Sequence, residues 1–184
     1  MEKIIITVLG SDRPGIIAAV SGSLFRQDLN IENVSQMVLQ SEFAAFFVVT
    51  APDGPPTGRI EEALRRDLSP LSLSVHVKKL APKPDAAAPL SREPFFITTT
   101  GPDQKGLVAR ITGVMAELGA NVTNLKAVFE GGDDPGRNIM VYEVDVPADA
   151  DRTALSAALR AKAAELCLDI SIQHRNIFDA VNKI

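Results

Sequence analysis

IIITVLGSDRPGIIAAVSGSLFRQDLNIENVSQ, residues 4–36, returns ninety-one positions later as FFITTTGPDQKGLVARITGVMAELGANVTNLKA, residues 95–127. The two stretches align without a gap. Ile6, Thr7, Gly10, Asp12, Gly15, Ala18, Gly22, Asn30 and Asn33 match Ile97, Thr98, Gly101, Asp103, Gly106, Ala109, Gly113, Asn121 and Asn124. Most other pairs exchange one apolar residue for another, as Ile16 with Leu107 and Val20 with Ile111. A chain that repeats itself in this way is built from repeated structural units, so the reading of one copy constrains the other.

Each copy has the same order of periodicities. Ile4–Leu9 and Phe95–Thr100 are apolar runs that read as buried strands. A glycine-containing turn follows, then apolar residues at helical spacing: Ile16, Ile17, Val20 and Leu24, or Leu107, Ile111, Val114, Met115 and Leu118. Two extended segments come next, Asn30–Gln40 with Phe43–Ala51 and Asn121–Glu130 with Asn138–Val146, each pair a hairpin. A second helix packs through Ile60, Leu64 and Leu68, or Leu155, Leu159 and Leu166. Each copy closes on an alternating strand, Leu71, Leu73, Val75 and Val77 in the first and Leu168, Ile170 and Ile172 in the second.

Strand, helix, strand, strand, helix, strand with right-handed crossovers predicts an α+β class of two ferredoxin-like βαββαβ domains. Each is an antiparallel four-stranded sheet with both helices on one face, and the first and third strands are central. The apolar second face of those strands needs a cover, from the other repeat or from a second subunit. Domain 1 is expected over residues 1–79 and domain 2, with a short C-terminal segment, over 95–184. The four prolines of residues 80–94 predict an extended connector.

Composition narrows the function. The 184 residues are 46% hydrophobic and 23% charged, an ordinary globular balance. A net charge of −4 gives no basic excess for phosphates, so direct nucleic-acid binding is not expected. Cys167 is the only cysteine and there are two histidines, which predicts no disulfide, no metal and no cofactor, and a reducing, cytoplasmic setting without membrane attachment. Cys167 is expected to be a packed thiol at a helix end, and His76 and His174 surface residues without a catalytic partner. Glu130–Asn138 reads as a long hairpin loop, and Phe43, Phe46, Phe47, Phe95 and Phe96 as core or interface. Ile177, Val181 and Ile184 fall at helical intervals that would dock on an interface.

The turns G-S-D-R-P-G-I and G-P-D-Q-K-G-L carry the best functional lead. Free N–H groups at a helix start attract an anion, and Gly15 or Gly106 removes the side chain that would block approach. Asp12 and Asp103 offer an acceptor to an ammonium group or cap the helix. Asn30 and Asn121 begin the next strand and are expected at the same end of the helix–sheet layer as the turn, where a side-chain amide suits a zwitterion.

These stretches, with N-I-E-N-V and N-V-T-N-L downstream, resemble ACT domains. Tandem ACT domains without a catalytic partner are similar to the repressors of the glycine cleavage system. The resemblance implies a non-catalytic regulator that binds a small amino acid, glycine or serine, where ACT domains meet. It also implies a partner protein, a transcription activator or a metabolic enzyme, and admits a homodimer. It marks Gly15 with Asn30 and Gly106 with Asn121, within a candidate ligand-binding set of Asp12, Pro14, Gly15, Ile16, Asn30 and Ile31, with Asp103, Gly106, Leu107, Asn121 and Val122; Lys105 stands where the first copy has Pro14. Two rivals remain open, a regulatory subunit of a biosynthetic enzyme and an acylphosphatase-type hydrolase using Arg13 and Asn30.

Overall fold

The structure, a computed structural model, describes residues 2–51, 56–81, 91–129 and 138–176. Residues 82–90 of the expected connector, 130–137 of the hairpin loop, and the C-terminal Ile177, Val181 and Ile184 lie outside the described residues. The chain divides into two compact units, Met1–Asp85 and Ala86–Ile184.

In the first unit β1 (Glu2–Ser11) leads into α1 (Ile16–Arg26), the hairpin β2 (Asn30–Leu39) and β3 (Glu42–Ala51), α2 (Thr57–Leu68) and β4 (Ser74–Lys79). The second unit repeats this as β5 (Arg92–Gly101), α3 (Leu107–Glu117), β6 (Asn121–Phe129), β7 (Asn138–Pro147), α4 (Arg152–Glu165) and β8 (Asp169–His174). The sheet orders are β2-β3-β1-β4 and β6-β7-β5-β8, antiparallel throughout, so the first and third strands of each unit are central. This is the α+β, βαββαβ architecture that the periodicities predict.

One face of each sheet carries the core. Ile4, Ile6, Val8, Phe47 and Val49 meet Ile16, Val20 and Leu24 of α1 and Ile60, Leu64 and Leu68 of α2. Ile97, Tyr142, Val144, Ile111, Met115 and Leu159 do the same in the second unit. On the other face of the first sheet Leu9, Met37, Leu39 and Phe46 are 48%, 56%, 67% and 49% exposed.

Three local expectations need correction. The last strand of the first unit starts at Ser74, because Pro70 opens a 3-10 turn over Ser69–Leu71 and Ser72 turns left-handed at φ 53°. Leu71 and Leu73 still pack on the core, from a turn rather than a strand. Cys167 is exposed, since the chain reverses from α4 into β8 through its left-handed φ of 55°. Arg92–Pro94 join β5, ahead of the Phe95 start read from the sequence; they pair only with β7, so Pro94 interrupts no second ladder.

Polar contacts tie the layers together differently in the two units. Asp67 of α2 accepts hydrogen bonds from Arg26 Nη2 (2.8 Å) and from the buried Ser23 Oγ (2.7 Å) of α1. The Arg26 guanidinium, then the Ser23 hydroxyl, hold the Asp67 carboxyl down at about 2. Glu61 accepts from the Val77 N–H at 2.9 Å, which lowers its pKa, and exposed His76 stands 3.8 Å away. In the second unit α3 and α4 share only a loose Arg110–Glu165 pair at 3.9 Å among the described ion pairs.

Candidate functional site

The first turn is shaped by its glycine. Gly15 sits at φ 95° immediately before α1, a left-handed conformation that a side chain would strain. A Cβ built there would meet nothing within 4 Å, so the approach to the helix start is open. Among the described residues no side chain caps α1, and Asp12 does not fill the capping role offered to it by the sequence. Its own N–H instead donates to the Ser41 carbonyl at 2.8 Å, pinning the turn to the β2–β3 hairpin.

Beside this turn lies a depression of about 440 Å³, lined by Asp12, Arg13, Gly15, Ile16, Ile17, Ala18, Gln36 and Phe43. Its floor is apolar, from Ile16 and Phe43, which are 2% and 3% exposed. Its rim holds one carboxylate, one guanidinium and one amide. Arg13 makes no hydrogen bond or ion pair among the described residues, so its donors remain available beside the uncapped N–H groups of α1. Such a rim offers donors to an anion at Arg13 and the helix start, and an acceptor to a cation at Asp12. Exposed Pro14 shapes the turn without lining the depression.

The second turn keeps the backbone and changes the groups. Gly106 has φ 86° before α3, which likewise has no side-chain cap. Asp103 Oδ1 accepts from Asn138 Nδ2 at 3.5 Å. Gln104, at the position of Arg13, is committed: its Nε2 donates to the Leu166 carbonyl at 2.7 Å. Leu107 is 3% exposed and serves as a core anchor.

The asparagines lie elsewhere, against expectation. Asn30 is opposite Thr50, which pairs with Lys3, whereas the turn leaves β1 at Ser11. Eight residues of strand separate the two ends, about 26 Å at ~3.3 Å per residue. The reason is directional: β1 runs toward the turn, α1 returns the chain to the start of the sheet, and β2 begins there. Asn121 opposite Asp145 repeats the arrangement. Ile31 and Val122, beside the asparagines, pack on the two cores. Within one domain the structure therefore does not bring Gly15 to Asn30 or Gly106 to Asn121. The same separation removes the hydrolase arrangement, which needs Arg13 and Asn30 on one substrate.

Sequence reasoning missed Ile17, Ala18, Gln36 and Phe43 as lining residues. Gln36 carried a faint signal. It lies opposite Ala45 on the helix-facing side of β2, where its neighbours in the alternation, Val34 and Val38, are apolar. Among the described residues no three His, Cys, Asp or Glu side chains cluster as a metal would require, and no helix is long and apolar enough to cross a membrane.

A four-stranded antiparallel sheet, two helices on one face and a glycine turn opening the first helix define a small α+β domain of the βαββαβ class. The ACT domain profile matches residues 2–78 and 93–173, and the chain belongs to the ACT domain family. A UPF0237 protein of Methanopyrus kandleri is 35% identical over 79 residues, 42% of this chain and 88% of that protein. Another from Methanococcus maripaludis is 30% identical over 92 residues, 50% of this chain and 99% of its own. Each relative is thus about one repeat long. Two solved structures share the tandem fold. An unknown protein from Galdieria sulphuraria superposes with a TM-score of 0.77 at 23% identity, covering 94% of this chain and 98% of its own. A candidate glycine cleavage system transcriptional repressor superposes with a TM-score of 0.70 at 19% identity, covering 94% and 96%.

Proposed function

We propose that this chain is a non-catalytic, amino-acid-responsive regulator that binds a small amino acid such as glycine or serine and controls a partner protein, a transcriptional regulator of glycine metabolism. The depression at the first turn carries the reading, with unpaired Arg13, Asp12 and an uncapped helix start around an apolar floor. Its volume falls in the range of small-molecule sites. Membership of the ACT family and the fold shared with a candidate glycine cleavage repressor support the regulatory role.

The separation of Asn30 from the turn gives the reading a structural form. β2 is an edge strand, and every residue in it except Ile31 is exposed. A ten-residue unpaired edge invites another strand. If the edge of another ACT domain adds to it antiparallel, the start of each β2 comes beside the end of the other, and Asn30 of one copy approaches the Asp12–Gly15 turn of its neighbour. Two half-sites become whole at the interface, so the ligand favours the paired state and couples binding to assembly. The regulator acts in the cytoplasm, without metal, cofactor or direct contact with DNA, in keeping with its net charge of −4.

Calorimetry of the full chain against the twenty amino acids tests the reading, with sedimentation at matched concentrations. Heat with glycine or serine and a shift toward the dimer are expected. No heat with any amino acid overturns it. Capture of partners from cell extract then separates a transcription factor from a metabolic enzyme.

A further inference from the structure

We propose that the second ACT domain holds a buried site for one small hydrogen-bond donor, a water molecule or an ammonium head, between Thr99 Oγ1 and Asn138 Oδ1 beneath its first turn. Both residues are buried, at 0% and 3% exposure, and both oxygens lack any partner. Buried polar atoms in native proteins nearly always have a partner, in protein or ordered water. The two residues are neighbours: Asn138 faces Gly101 across the β5–β7 ladder, and Thr99 lies two residues back on the same face.

The surrounding donors are already committed. Asn138 Nδ2 points to Asp103 Oδ1, which also fixes the amide orientation, because the flipped amide would set oxygen against carboxylate. The Tyr142 hydroxyl donates to Met140 Sδ at 3.2 Å. Burial raises the Tyr142 pKa, and the Thr99 hydroxyl offsets part of that rise. Asn138 Oδ1 can only accept, and the Thr99 hydroxyl can donate or accept, so a guest with an O–H or N–H to give satisfies both, whereas an anion would meet the Oδ1 lone pairs. Water has two O–H groups for two oxygens, and an ammonium has three N–H groups.

The fold does not demand this polarity. By register Val8 and Phe43 of the first domain occupy the positions of Thr99 and Asn138, and both are buried apolar residues. The inference is independent of the amino-acid response, since water alone satisfies it.

Crystals of the full chain, native and soaked in methylammonium, test it. Density within hydrogen-bond distance of both oxygens is expected in each. A peak unchanged by the soak assigns water, and a peak replaced by the amine assigns an ammonium site. Two oxygens bonded directly to protein groups with no density between them overturn the proposal. In solution, water–amide nuclear Overhauser contacts should show a long-lived water near Thr99 that the Thr99→Val variant loses; the same contacts in both proteins would also overturn it. A blank calorimetric titration leaves the density in place, so failure here is distinct from failure of the regulatory reading.

Discussion

Gly10, Asp12, Gly15 and Ala18 recur as Gly101, Asp103, Gly106 and Ala109, and both turns open a helix from a left-handed glycine, at φ 95° and 86°. Around that shared backbone the chemistry diverges. Arg13, Gln36 and Phe43 at the first turn become Gln104, Ala127 and Asn138 at the second. The first set leaves a cation unpaired over an apolar floor; the second ties its amide to the Leu166 carbonyl and puts polar atoms under the turn. The two repeats thus share the turn conformation and differ in the side chains around it.

The cores offer the strongest way to sharpen that contrast. Phe47 and Tyr142 occupy equivalent positions, opposite Ile6 and Ile97. Phe47→Ala should destabilise the first domain by about 3–5 kcal/mol, whereas Tyr142→Phe, which loses only the bond to Met140, should cost about 1 kcal/mol in the second. Urea unfolding followed separately for the two domains checks both.

The close approaches behind the turns rank next. A Cβ on Gly101 would lie 2.8 Å from the Cys167 carbonyl oxygen and 3.2 Å from Leu168 Cα, so backbone must move. On Gly10 it would strike Leu73 Cδ2 at 2.7 Å, with the nearest backbone atom at 3.5 Å. Gly101→Ala should cost about 2–3 kcal/mol and Gly10→Ala under about 1 kcal/mol, because a side-chain end yields more easily than a peptide. Equal shifts in urea midpoint would break the distinction.

For ligand binding the asymmetry should appear between Arg13→Ala and Gln104→Ala. Loss of a charge-assisted contact predicts about 10–100-fold weaker amino-acid binding for the first and no change for the second, read by calorimetry.

The smallest effects are in pH dependence, and they have opposite signs. Asp67 is held at about 2, below the ordinary carboxylate value, so its contribution is present above about pH 4 and is lost as pH falls toward 2. Arg26→Ala should move the acid limb of the first domain to higher pH. Tyr142 is the only tyrosine, and burial raises its pKa. Its contribution is complete below about pH 10 and is lost as pH rises through the raised value, so the second domain should unfold as its phenolate absorbance appears. Circular dichroism across both limbs measures the pair.

Much of the fold could be read along the chain because its signals are local. Apolar spacing at Ile16, Val20 and Leu24 places α1, and the runs apolar on both faces, Ile4–Leu9 and Phe43–Val49, mark the central strands. Gly15 and Gly106 were legible as the turn glycines for the same reason, since left-handed backbone is a property of one residue. Local signals failed where a residue's surroundings come from distant segments. Cys167 looks buried beside Leu166 and Leu168 yet projects into solvent from a left-handed turn.

The sequence by itself determined two βαββαβ repeats, their order of elements and the turn that opens each first helix, because hydrophobic period and glycine act within a few residues. Only the tertiary structure decided which side chains share a site. Strand register, set by pairing between segments far apart in the chain, carried Asn30 some eight residues from the turn, brought Gln36 and Phe43 beside it, and placed Asn138 beneath the other turn.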